Sequence, residues 1–148
     1  MAARDIFHDA VKHALEQEGW RITHDPLALQ IGGVEMYIDL GAEQLIAAEK
    51  EGKKIAVEIK SFVAVSAIYE FHLAIGQYRN YQLALLQEDP ERALYLAVPE
   101  DTYDRFFTLQ FIQDALRYNT VRYLVYDGQA EVIIQWHNES DIVSTFKR

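Results

Sequence analysis

The sequence predicts a mixed α/β domain with a central mixed β-sheet flanked by helices. Three observations carry that expectation. Segments with helical and strand-like apolar spacing follow one another in the order helix, three strands, helix, strand, helix, hairpin. Each helix has an apolar stripe to bury and each strand an apolar face, and a sheet with helices on both sides buries them together. At 148 residues, half apolar and a quarter charged, the chain is long enough to enclose a core. No repeat, low-complexity tract or linker divides it. Residues 1–148 are therefore expected to form a single domain, with a polar tail over about 138–148.

Residues 5–18 read as the first helix, because Phe7, Val11, Ala14, Leu15 and Glu18 keep helical spacing. Asp5 is the expected N-cap and Gly19 the expected stop. His8, Lys12 and Glu16 form a polar file at i, i+4 on a neighbouring face. Residues 20–29 look extended and lead to a turn at Gly32-Gly33. Strands are expected at about 34–39, 43–50 and 53–62, with Lys50-Glu51-Gly52-Lys53 as the hairpin between the last two. A long helix starts at Ser66 and runs to about 87, burying Ile68, Phe71, Ile75, Tyr78 and Leu85. Residues 93–98 form an apolar strand ending at Pro99, and 101–118 are helical in two pieces. Residues 121–126 and 131–136 flank Asp127-Gly128, a strong hairpin signal.

The absence of cysteine excludes disulfides, thiol nucleophiles and thiolate metal sites, and fits a reducing cytoplasm. The first nine residues carry charge and no apolar core, so no signal peptide is read there. No run approaches the roughly 18 apolar residues of a membrane span. A soluble cytoplasmic protein is the expectation. Net charge is −9, from 14 basic and 23 acidic residues. Autonomous nucleic-acid binders are usually basic, because neutralising phosphates supplies most of their affinity. An acidic chain that meets DNA is expected to rely on a metal, a local patch or a partner that provides the grip.

The chemistry centres on residues 54–60. Side chains of a strand alternate between faces, so Ile55, Val57 and Ile59 share one face and Ala56, Glu58 and Lys60 the other. Glu58 and Lys60 thus stand side by side, about 7 Å apart at the backbone. Asp39 ends another apolar run nineteen residues earlier. On a neighbouring strand, it would converge with Glu58 on a spot fit for a divalent cation. An acid followed by an acid-x-lysine strand is how metal-dependent phosphodiesterases arrange their sites. The plainer alternative is an i, i+2 ion pair on a half-exposed strand, which is worth little.

Glu43 and Glu49 are alternatives for the second acid, although Glu49 lies near the hairpin turn and reads as a solvated charge. In the long helix, Gln77 and Tyr81 are four apart and share a face. A glutamine amide can hold a metal-bound water or a phosphate oxygen, and a tyrosine can stack or donate. Such a pair is also common as a polar residue beside a core aromatic. His13, His24, His72 and His137 show no zinc spacing. No glycine-rich phosphate loop or nucleophile elbow is present.

In that order, Asp39, then Glu58-Ile59-Lys60, then Gln77 and Tyr81 on a helix, the chain resembles the PD-(D/E)XK nuclease superfamily, specifically its Gln-x-x-x-Tyr branch. The resemblance implies a restriction-endonuclease-like fold. It implies that Asp39 and Glu58 bind Mg²⁺ or Mn²⁺ with the Ile59 carbonyl, and that Lys60 orients or activates the attacking water. Gln77 would sit at the edge of the site. In this superfamily the first helix often lends a polar residue to the metal, which makes His8 and Lys12 further edge candidates beside Tyr81. Ile38 stands where the motif's proline would be.

A closer resemblance covers most of the chain. Arg4 to His8, Gly19 to Thr23, Ile38 to Glu43, Ala48 to Lys50, Ile55 to Phe62 and Gly76 to Tyr81 are similar to the XisH family of cyanobacterial fdxN-element excision controlling factors. That implies a part in excising a DNA element, alongside a separate recombinase and an XisI-type partner. Family membership leaves two readings open: a Mg²⁺-dependent endonuclease, or a catalytically silent nuclease-fold adaptor acting through its partner. The nuclease-like fold also implies a homodimer, since cutting two strands takes two sites.

Overall fold

The run Lys53–Ile59 becomes a central strand because its two sides meet two different cores. The structure, a computed structural model, describes residues 3–44, 52–63 and 65–138. Its elements are α1 (Ala3–Gln17), β1 (Trp20–His24), β2 (Leu27–Ile31), β3 (Val34–Ile38), β4 (Leu40–Gln44), β5 (Lys53–Ile59) and α2 (Ala67–Glu88). There follow β6 (Arg92–Pro99), a helical turn α3 (Glu100–Thr102) that runs into a π-helical turn (Tyr103–Phe107), α4 (Gln110–Tyr118), β7 (Tyr123–Asp127) and β8 (Val132–His137).

Six strands form one mixed sheet in the order β1-β4-β5-β6-β7-β8, and β2 and β3 form a separate hairpin. β4 runs antiparallel to β5, while β5, β6 and β7 are mutually parallel. The two parallel connections contain α2 and α4. Ala10, Val11 and Leu15 of α1 pack on one face against Ile55, Val57 and Ala97. On the other face, Ala56, Leu94 and Leu96 meet α2, α4 and the β2–β3 hairpin. The predicted mixed sheet between helices is thus the observed architecture, and the alternation along β5 is as expected. Among the described residues no helix is long and apolar enough to cross a membrane.

Several expectations on the elements change. The stripe of α2 that enters the core is Phe71, Ala74, Tyr78, Tyr81 and Leu85, whereas Ile68 is 41% exposed. Ala74 is buried in preference to a larger residue because its small side chain lets the helix lie close on the sheet. Asp5 stands inside α1, which already begins at Ala3. Residues 20–29 split into two strands, bent at a cis Asp25–Pro26 peptide bond.

The strand expected at 43–50 begins at Leu40, because Leu40 and Ala42 pair with Val57 and Ile55 and bury with them under α1. Between them Gly41 is no breaker. A Cβ there would come within 3.2 Å of Arg92 and of His24, so the position is glycine for close approach. The predicted hairpin turn, Glu49 and the tail beyond 138 fall largely outside the described residues.

Candidate active site

Asp39 sits at the single residue between β3 and β4, where the chain leaves the small hairpin and joins the main sheet. Its neighbours fix it there: Ile38 is fully buried on the α2 side and Leu40 fully buried on the α1 side. The antiparallel register sets Leu40 opposite Val57, so Asp39 arrives beside Glu58. The two residues bond reciprocally. The Asp39 amide donates to Glu58 Oε1 at 3.3 Å, and the Ile59 amide donates to Asp39 Oδ2 at 2.8 Å.

Glu58 is the buried carboxylate of this constellation, only 7% exposed. Burial and, next to it, the Asp39 carboxylate together raise its pKa to about 7 against the opposing pull of Lys60. Lys60 Nζ lies 3.7 Å from Glu58 Oε2 with its side chain one-third exposed. The backbone of Lys60 extends the parallel ladder by donating to the Ala97 carbonyl at 3.0 Å. The lysine therefore has a fixed root and a part-exposed head held at the edge of Glu58.

Gln77 and Tyr81 project from α2 into the same region. Gln77 Nε2 donates to the Tyr81 hydroxyl at 2.8 Å, and that hydroxyl donates to the Tyr37 carbonyl at 3.1 Å. Burial raises the Tyr81 pKa, and the Glu58 and Asp39 carboxylates raise it further, which sets the phenol within reach of their field. The helix pair thus holds the backbone two residues before Asp39.

His8 and Lys12 are placed differently. His8 Nε2 lies 2.7 Å from Asp25 Oδ1 and Lys12 Nζ 2.9 Å from Asp25 Oδ2, which ties α1 to the β1–β2 bend. Burial alone would raise the Asp25 pKa, but Lys12 and His8 together hold it below the usual carboxylate range. Glu43 is directed elsewhere, with Arg21 at 3.3 Å and Arg92 at 3.8 Å, near the far end of the β4–β5 ladder. His13 pairs with Glu131.

Sequence reasoning missed the clamp behind the lysine. Thr102 Oγ1 donates to the Ser61 carbonyl, and Arg105 Nη2 donates to the Phe62 carbonyl at 2.7 Å. Phe62 adopts φ +52°, rare for a large side chain, and its ring packs among Phe71, Phe106 and Phe107. These contacts join residues about forty apart in sequence, and no local spacing announces them.

The donors suit a hard cation. Two carboxylates and a neighbouring backbone carbonyl at Ile59 offer oxygen alone, as Mg²⁺ and Mn²⁺ prefer. A buried glutamate whose charge is resisted by an adjacent aspartate would be relieved by a cation between them. Among the described residues no three His, Cys, Asp or Glu side chains group as a metal site, so the pair would rely on backbone oxygen and water to complete the shell. A cavity of about 660 Å³, lined by Trp20, Lys53, Tyr95 and Trp136 among others, opens toward the opposite end of β5.

Fold and site together define a mixed α/β domain with paired carboxylates and a lysine where its central strand meets a sheet junction. The chain belongs to the XisH family, whose model (XisH protein) matches residues 1–134. It is similar to the crystal structure of an XisH family protein from Nostoc punctiforme, with 51% identity and a TM-score of 0.83 over 90% of this chain and 100% of that one. It is equally similar to a fdxN element excision controlling factor protein from Anabaena variabilis, with 50% identity and a TM-score of 0.82 over 91% and 100% of the two chains. No curated protein matches the chain.

Proposed function

We propose that this chain is a controlling factor for excision of a DNA element, and that its Asp39–Glu58–Lys60 site hydrolyses DNA phosphodiesters with Mg²⁺ or Mn²⁺. The first half extends the name of the Anabaena variabilis protein to a chain 50% identical to it. The second half is carried by one observation: Glu58 is buried against Asp39, its charge resisted, with a lysine head 3.7 Å away.

A bound divalent cation would lower the pKa of a coordinated water and stabilise the charge of a pentacovalent phosphate. Asp39 and Glu58 would hold it with the Ile59 carbonyl. Lys60, rooted in the sheet with its head part-exposed beside Glu58, would orient the attacking water and offset the developing charge. Gln77 would hold a phosphate oxygen or a water at the edge. Tyr81 would act indirectly, fixing the Tyr37 backbone and through it Asp39.

Calorimetric titration of Mn²⁺ into the protein and into Asp39→Asn tests the reading, followed by a nicking assay on supercoiled DNA. Binding that vanishes in the variant, with cation-dependent nicking in the wild type, is the expected result. Nicking that is equal in both would refute it.

The net charge of −9 favours a second reading. In it the chain is a nuclease-shaped adaptor, and an XisI-type partner or a recombinase supplies the DNA contact. That reading requires co-purification with the partner and excision that survives Lys60→Ala.

A further inference from the structure

A helix on the surface of a monomer turns its charged side to water. α2 does not. Its solvent-facing arc spans about 140° at 3.6 residues per turn. In that arc Tyr69, Leu73, Leu83 and Leu86 are 56–64% exposed and Ile68 is 41% exposed. Although the chain has 23 acidic residues, none falls in the arc: Glu70 and Glu88 stand at its margins. Its basic members are His72 and Arg79, and Arg79 donates to the Asn119 carbonyl at the end of α4. That bond brings the end of α4 to α2, and there Asn119 lines one cavity with Tyr118 and Phe111, which are 80% and 65% exposed.

We infer that this face is where a second copy of the chain docks, with the two α2 helices antiparallel about a two-fold axis level with Tyr78. Three observations point to a copy of the same chain. A two-fold interface must be self-complementary. Leu73 and Leu83 stand five residues either side of Tyr78, so each would meet the other residue of the second copy, and their exposures match at 58% and 56%. Gly76, with nothing within 4 Å of an added Cβ, would face Asn80 and let the helices approach closely.

The second observation is charge. Two chains of −9 repel, and the α2 arc, free of carboxylates, offers a surface on which that repulsion is least. The third is area. A helix of 22 residues offers a strip about 33 Å long and roughly 10 Å wide, well short of the ~800 Å² per partner of a standard interface. The adjoining surface of α4, with a cavity of about 410 Å³ lined by Phe111, Tyr118 and the ion-paired Asp114 and Arg117, extends the strip toward that size.

This inference is independent of the chemistry proposed for Glu58. Because the chain has no cysteine, introduced thiols report without background. Leu73→Cys/Leu83→Cys is expected to link two chains on mild oxidation. Neither single variant should do so, since the two copies of one position would lie about 15 Å apart along the helices, beyond the ~7 Å reach of a disulfide. The wild type is expected to sediment as a dimer. Leu83→Glu should raise its dissociation constant at least roughly tenfold with an unchanged circular dichroism spectrum. A wild type that stays monomeric across the concentration series overturns the proposal and leaves the face to a different protein. Single variants that link as readily as the double one overturn the antiparallel register.

Discussion

Removing the Glu58 charge should stabilise the protein, provided no divalent cation is present. In the folded chain the Glu58 pKa is about 7 against an ordinary 4.5. Between those values the folded state holds a proton that the unfolded state has released. Stability is therefore full below about 4.5 and is lost as pH rises through about 7. At about 1.4 kcal/mol per pKa unit, the ionised, buried carboxylate costs on the order of 3 kcal/mol at pH 8. Glu58→Gln keeps an acceptor for the Asp39 amide and adds a donor that can face the Asp39 carboxylate. We expect it to gain about 2 kcal/mol at pH 8, which for a domain of this size is a Tm higher by roughly 4–8 °C. Near pH 5, where wild-type Glu58 is already mostly protonated, the gain should fall below about 1 kcal/mol. Thermal melts in a chelating buffer at the two pH values measure the difference. Saturating Mn²⁺ should then raise the wild-type Tm and leave that of the variant nearly unmoved. A variant that is less stable than the wild type at pH 8, or equally stabilised at both pH values, would refute the reasoning. It would mean that Lys60 already satisfies the glutamate.

The other expectations follow from neighbouring contacts. Lys60→Ala should abolish nicking while shifting stability by less than about 1 kcal/mol, since a 3.7 Å pair with a part-exposed lysine contributes little; a nicking assay and a denaturant titration separate the two effects. Tyr81→Phe removes the bonds to Tyr37 and Gln77 and should cost roughly 1–2 kcal/mol. Calorimetry should also show weaker Mn²⁺ binding, because Asp39 loses its anchor. Tyr126 carries a buried hydroxyl without a hydrogen-bond partner among the described residues, so Tyr126→Phe should be neutral or stabilising by up to about 1 kcal/mol in a thermal melt.

Much of the fold was legible because its signals are local. The alternation from Ile55 to Lys60 is visible in sequence, and the structure sorts those residues onto the two expected faces. Ser66 was legible as a helix start for the same reason, and its side chain accepts from the Tyr69 amide. What was hidden depends on packing partners. Ranking by hydrophobicity prefers Ile68 to Ala74, yet the sheet admits the smaller residue and leaves Ile68 exposed, while Ile75 packs half-buried against the same core. Gly41 looks like a breaker until Arg92 is seen against it. In the site, the pairing of acids with a lysine could be read from order and spacing. The Asp25 link to His8 and Lys12, and the Thr102–Arg105 clamp behind Phe62, could not, since nothing along the chain marks residues that meet only in the fold.

The acidic balance of the chain bears on how the proposed chemistry would begin. Screening at physiological salt confines a surface charge to about 8 Å, so a phosphate near the site responds chiefly to the local groups. With Glu58 ionised, Asp39, Glu58 and Lys60 sum to −1 − 1 + 1 = −1, which repels a phosphate. A divalent cation changes that local sum to +1. On the proposed chemistry the cation therefore binds first and creates the attraction for DNA. The raised pKa of Glu58 couples this step to pH, because a cation that binds near pH 7 displaces the proton that part of the Glu58 population still holds, so cation binding strengthens as pH rises. An acidic chain would in this way engage a phosphodiester at one loaded site while its remaining surface repels the polymer. Any longer grip on DNA would then fall to a partner or a second copy.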